Sequence, residues 1–185
     1  MAMPKNKIND QLKLVSTVIK QLQAIGFNPI LIGGMALVIL GSKRVTYDFD
    51  FVISKQEDEL LQTLVGVFYK NKMELVAKIG PTNDILSIID NPKMAGIRLR
   101  IDKPESAYFY NEQIDLRIDI LFDFPLLADE LIKGATIKKI NSVNFTVASE
   151  EDLIKLKKIA RSKRSKPGDS DDLAFLMSRR SKKIY

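Results

Sequence analysis

Apolar positions along this chain switch between the three-and-four spacing of a helix and the alternation of a strand. Leu12, Val15, Val18, Ile19, Leu22 and Ile25 recur at helical spacing after a cap at Asn9 or Asp10, and Gly26 closes that helix. Pro29-Ile30-Leu31-Ile32 starts a short apolar strand that Gly33-Gly34 breaks. Met35 to Leu40 gives two helical turns ended by Gly41, and Val45 to Ile53 is the next strand. Ser54 with Glu57 forms a capping box for a helix to about Lys72. Ile85 to Ile89 reads as a buried strand. Ile97, Leu99 and Ile101 alternate with Arg98, Arg100 and Asp102, which predicts a half-buried strand. Residues 103–113 read as a loop with exposed aromatics. Ile114 to Leu121 alternates strongly and sets Asp115, Arg117 and Asp119 on one face. A short helix over 126–133 and a strand from Val143 to Val147 follow. Ser149 with Asp152 caps a helix to about Lys163, Lys166-Pro167-Gly168 breaks it, and Asp169 to about Arg180 is the last helix. This order predicts one α+β (or α/β) domain over 1–185, with a core at about 28–147 and a basic helical part at 149–185.

Composition narrows the chemistry. With 45% hydrophobic residues in 185, the chain can bury a real core. No run approaches the roughly 20 apolar residues of a membrane span, and no apolar stretch follows the N-terminus as in a signal peptide. The chain contains no Cys, so disulfides and thiolate zinc sites are excluded, and a cytoplasmic location fits. It contains no His, so no imidazole base or ligand exists. Catalysis would rest on carboxylates, Lys, Arg, hydroxyls or a metal. The net charge of +6 lies wholly in residues 151–185, where 11 Lys and Arg face 5 Asp and Glu. That basic surface suits a polyanionic partner or a solubilising tail.

Asp48 and Asp50 carry the strongest signal. Two apart on a strand, they project together while Phe49 and Phe51 face the core. Two neighbouring anions call for a positive charge between them, and hard oxygen donors select a cation such as Mg²⁺. Upstream, Gly33-Gly34 lies between a strand and a helix start, where backbone N–H groups can meet an anion. Lys43 and Arg44 add a basic loop, and Asp119 brings a third carboxylate on a separate strand. Phosphates, two cations and an attacking hydroxyl could all be served by such a set. Lys157, Arg161 and Arg164 form one helix stripe, with Leu153, Leu156 and Ala160 as the opposing apolar stripe. Asp169 and Asp172 share a face and either orient Lys157 or cap the last helix. Tyr108, Phe109 and Tyr110 either stack a base or tuck into the core.

Gly33-Gly34, then Arg44 and Thr46, then Asp48-Phe49-Asp50 resembles the DNA polymerase β-type nucleotidyltransferase superfamily. The closest resemblance is to its small bacterial branch of AbiEii/MenT-like toxin transferases and minimal nucleotidyltransferases. Arg117-Ile118-Asp119-Ile120-Leu121 is similar to the family's third-carboxylate strand. Ser149 to Lys157 and Ala160, then Arg164 and Asp169 to Leu173, are similar to its C-terminal pattern. The resemblance covers about 28–54 and 114–176. Many members carry Gly-Ser where this chain has Gly33-Gly34, so only backbone N–H groups are offered there. Asp115 competes for the third position, with pairing to Arg117 as its plain alternative. Asp119 is preferred because the family sets its Asp before an apolar pair, here Ile120-Leu121.

The resemblance implies a nucleotidyltransferase fold and Mg²⁺- or Mn²⁺-dependent transfer of NMP from an NTP to a hydroxyl. Asp48, Asp50 and Asp119 would be catalytic and bind the metal. Gly33, Gly34, Arg44 (or Lys43), Thr46 and Lys157 would bind the nucleotide. The acceptor is open between a tRNA or other RNA end, a protein hydroxyl and a small molecule. A toxin role would add a cognate antitoxin as partner. The alternative is an inactive nucleotide- or nucleic-acid-binding module on the same fold.

Overall fold

The computed structural model describes residues 5–55, 58–163 and 167–182. Helix α1 (Lys5–Ala24) leads into β1 (Ile30–Ile32), α2 (Gly33–Ile39) and β2 (Phe49–Ile53). Next come α3 (Asp58–Lys70), the hairpin β3 (Glu74–Ile79) and β4 (Ile85–Ile89), and α4 (Pro92–Asp102). A second hairpin, β5 (Ser106–Asn111) and β6 (Leu116–Phe122), precedes α5 (Ala128–Gly134). The strands β7 (Thr136–Ile140) and β8 (Val143–Val147) and the helices α6 (Glu150–Lys163) and α7 (Pro167–Lys182) complete it.

All eight strands join one sheet in the order β4-β3-β5-β6-β2-β1-β8-β7. The central strand β2 runs antiparallel to β1 and parallel to β6, and its register sets Asp50 beside Asp119. On β5, Tyr108 stands opposite Asp119 and Tyr110 opposite Arg117. Directly opposed residues share a face, so this face gathers polar groups. The other face buries Phe49, Phe51, Ile118, Ile120 and Phe109. Phe49 stacks on Phe145 at 6.0 Å, and Phe109 stacks on Phe68 of α3 at 3.8 Å. Each such side chain contributes roughly 1.5–3 kcal/mol through burial. This apolar floor fixes the register that brings two carboxylates together.

Several expectations change. α1 is already helical at Lys5, so Asn9 and Asp10 lie inside it rather than capping it. The expected strand over 97–102 is the helix α4. Asn91 caps it, its Oδ1 accepting from Lys93 N at 2.9 Å, and Pro92 pre-sets the first turn. Only Leu99 of the three alternating apolar residues is buried, while Ile101 is 71% exposed. The expected loop over 103–113 holds β5. Here Phe109 is core, and the tyrosines flank it on the opposite face. β4 is a strand, but an exposed edge strand rather than a buried one. The strand expected from Val45 begins only at Phe49, and the helix expected to Lys72 ends at Lys70. Glu57 of the first capping box, and Arg164 and Lys166, lie outside the described residues.

Candidate active site

Residues 42–48 carry no ladder, yet their burial alternates. Lys43, Val45 and Tyr47 are exposed, while Arg44, Thr46 and Asp48 are half-buried and continue the side taken by Asp50. Asp119 is buried on β6. The Arg117 guanidinium grips it with two bonds, Nε to Oδ1 at 2.7 Å and Nη2 to Oδ2 at 3.1 Å. The same guanidinium lies 4.2 Å from the Tyr108 ring centre, and its Nη1 donates to Asn83 Oδ1 at 3.4 Å. Burial pushes the Asp119 carboxyl up to about 7. The charges of Asp50 and Asp48 push the same way, and the bonds from Arg117 oppose them.

Asp115 lies just outside the strand and lines a cavity with Tyr110 and Arg117. It sits in the turn before β6 at φ +50, accepting from Lys7 Nζ at 3.0 Å and Tyr110 Oη at 3.1 Å. The expected Asp115–Arg117 pair is replaced by Arg117–Asp119.

The glycine pair opens α2 rather than preceding it. Gly33 has φ +66, and a Cβ there would overlap the Asp50 carboxylate. A Cβ on Gly34 would come within 3.0 Å of Arg44 Cζ and Thr46 Oγ1. Ile32, at the cap position, offers no side-chain bond to the first N–H groups of α2.

Arg44 crosses to α7, where Nη1 donates to Asp172 Oδ2. Lys157 of α6 joins the same cluster, with Nζ 3.2 Å from Asp169 Oδ1 and 2.6 Å from Asp172 Oδ2. The orienting role of Asp169 and Asp172 is thus the geometry found. Lys157 lies on the same side as Leu153, Leu156 and Ala160, since positions four and three apart share a face, so the apolar stripe does not oppose it. Arg161 is exposed. Ser149 caps α6 as expected, its Oγ accepting from Asp152 N at 3.1 Å. Arg179 fastens α7 to α2 through Leu40 O at 2.6 Å.

One cavity of about 680 Å³ is lined by Gly33, Gly34, Arg44, Thr46, Asp48, Asp50, Asp119 and Lys157 together. Its size is that of a small-molecule site. A second cavity, of about 580 Å³, shares Asp48, Asn83 and Arg117 with the first. Carboxylate oxygens suit a hard divalent cation in kind. In arrangement they are not yet a cage: among the described residues no three acidic side chains stand ready to hold an ion. Sequence reasoning missed the Arg117 fork, Asn83 and the Arg44–Asp172 contact. For Arg117 a signal existed, because residues two apart on a strand share a face.

The family model of the nucleotidyl transferase AbiEii toxin, type IV toxin–antitoxin system, matches residues 20–183. The chain belongs to this AbiEii nucleotidyl transferase family. No curated protein matches it. Solved structures share the fold at low identity. The antibiotic-resistance factor ANT(2'')-Ia superposes at TM-score 0.57 with 11% identity, covering 92% of this chain and 84% of that one. The lincosamide antibiotic adenylyltransferase LnuA gives 0.54 with 11% identity over 96% and 99%. TM1012 from Thermotoga maritima gives 0.51 with 10% identity over 84% and 89%. The nucleotidyltransferase fold of this AbiEii family member is therefore established. No helix among its described residues is long and apolar enough to cross a membrane.

Proposed function

We propose that this protein moves an NMP from an NTP to a hydroxyl acceptor, acting as the toxin of a toxin–antitoxin pair. The observation that carries this reading is the shared cavity, in which eight residues from four separate stretches of chain meet. Asp48, Asp50 and Asp119 would hold Mg²⁺ or Mn²⁺, which when bound neutralises phosphate charge and lowers the pKa of the attacking hydroxyl. The N–H groups of Gly33 and Gly34 face the β- and γ-phosphates of the NTP. Arg44 and Lys157, pre-oriented by Asp172 and Asp169, offer their charge to the same phosphates. Thr46 lines the same cavity beside Gly34. The acceptor oxygen bonds to the α-phosphorus, the bond from that phosphorus to the bridging oxygen breaks, pyrophosphate leaves, and the acceptor proton is lost.

For the acceptor, an RNA end such as that of tRNA is the reading favoured by the basic excess of residues 151–185. The test is incubation with each α-labelled NTP, Mg²⁺ and total tRNA, beside an Asp48→Asn/Asp50→Asn control. Label moved to RNA by the wild type alone supports transfer and names the base. Label on protein instead moves the acceptor to a protein hydroxyl. No transfer and no stabilisation by NTP with Mg²⁺ supports an inactive binding module.

A further inference from the structure

A group that receives a nucleotidyl unit needs a seat of its own beside the cation site. The second cavity, of about 580 Å³, adjoins the first and shares Asp48, Asn83 and Arg117 with it. Its volume is that of a small-molecule site. Three large hydrophobic side chains on its wall, Tyr47, Leu86 and Ile88, are left 37%, 54% and 39% exposed. Single exposed apolar residues are ordinary, but three gathered on one concave wall mark a binding surface. Tyr110 adds a second aromatic ring to the lining, its hydroxyl donating to Asp115 Oδ1 at 3.1 Å.

Charge decides which part of an acceptor fits. Asp48, Asp84, Glu112 and Asp115 line this cavity, and the one basic side chain on its wall, Arg117, is already bonded to Asp119. A phosphate entering here meets net negative charge, so the backbone of an RNA is disfavoured. A base is not. Tyrosine rings stack on unpaired bases, and carboxylates accept from exocyclic amino groups such as that of cytosine. Uracil presents a carbonyl oxygen where cytosine presents that amino group. Glu112 follows β5 and Asp84 precedes β4, both of them exposed. Asp84 accepts from the Thr82 hydroxyl and keeps further lone pairs for a ligand.

We propose that the second cavity is the acceptor subsite, and that it takes the terminal base of a single-stranded RNA end, preferring one with an exocyclic amino group. The ribose then lies at the junction, where Asp48 lines both cavities, and presents its hydroxyl to the cation site. The phosphates trail away from the acidic wall. This subsite rests on the transfer reading with RNA as acceptor, and adds which RNA ends are chosen.

The test is binding to the whole chain of short single-stranded RNAs that differ only in the terminal base, with no NTP present. An RNA ending in cytidine is expected to bind about tenfold more tightly than one ending in uridine. Asp84→Asn/Glu112→Gln, which alters only exposed side chains, should erase that preference. Equal affinities in the wild type, or a preference that survives in the double variant, overturns the subsite. A second readout follows the stacking itself, using the same RNA ended by a fluorescent aminopurine. Its emission should be quenched on wild type and largely restored on Tyr47→Leu, and unchanged quenching on Tyr47→Leu overturns the stacking wall. Label transfer with α-labelled NTP and Mg²⁺ then separates the two ideas. Selective binding without any transfer upholds the subsite and removes the transferase reading. Equal transfer to cytidine and uridine ends upholds the transferase and removes the subsite.

Discussion

Two charged clusters face each other across the main cavity, and they are built on opposite plans. The helical cluster sets Arg44 and Lys157 against Asp169 and Asp172, two cations with two anions, across the 42–48 loop, α6 and α7. The strand cluster sets the Arg117 fork on Asp119, with Asp50 beside it on the neighbouring strand and Asp48 just before that strand. The first is balanced and ties distant segments together. The second gathers carboxylates on one partly buried face, and the raised pKa of Asp119 comes first from burial and then from the charges of Asp50 and Asp48. The helical cluster aims its cations, and the strand cluster gathers oxygen donors that suit a cation. A triphosphate carrying a divalent ion presents both complements at once.

Substitutions can break this contrast, and the largest effect is expected on turnover. Asp50→Asn should lower nucleotidyl transfer by more than about 100-fold, beyond what a metal's supporting neighbours usually cost, with little change in fold. Steady-state transfer from α-labelled NTP checks it. Asp172→Asn should act on stability instead, because Asp172 is the carboxylate that both Arg44 and Lys157 bind. Losing one partner of a buried pair costs about 3 kcal/mol, roughly 6–12 °C in Tm for a chain of this size, read by thermal denaturation.

A smaller effect depends on pH. The folded pKa of Asp119, about 7, lies above the ordinary value of 3.8. The stability this group contributes is therefore fully present below about 3.8 and is lost as pH rises through about 7. In metal-free protein, Tm should fall from pH 5 to pH 8 more steeply for wild type than for Asp119→Asn. Saturating Mg²⁺ should flatten the wild-type slope. An equal slope in the two metal-free proteins would detach the pH effect from Asp119. The smallest effect is expected at the exposed Arg98–Asp102 pair on α4, where Asp102→Asn should change stability by less than about 0.5 kcal/mol.

The strand cluster was more legible in the sequence than the helical one. Asp48 and Asp50 are neighbours in the chain, and the apolar residues around them announce a strand. Arg44 and Asp172 are 128 residues apart, and no local pattern pairs them. The alternation at 97–102 misled because it counts hydrophobicity alone, while Asn91, Pro92 and the left-handed Lys103 decide the backbone. The strand β5 was hidden because Lys103 and Pro104 signal a turn, and two tyrosines beside a buried phenylalanine look like loop decoration. Asp115 and Asp119 could not be ranked by periodicity, since only the left-handed turn at Asp115 takes it out of the strand's rhythm.

That 128-residue contact also bears on the order of synthesis. Domains tend to fold as the chain emerges, N-terminal part first. The glycine pair and the three carboxylates are made well before Lys157 and Asp172, and Arg44 has no Asp172 to meet until α7 is out. On the ribosome, a partly translated copy therefore carries the strand cluster without the helical one. If both are required for transfer, a chain whose activity would endanger its own host becomes active only once its last described helix has been translated.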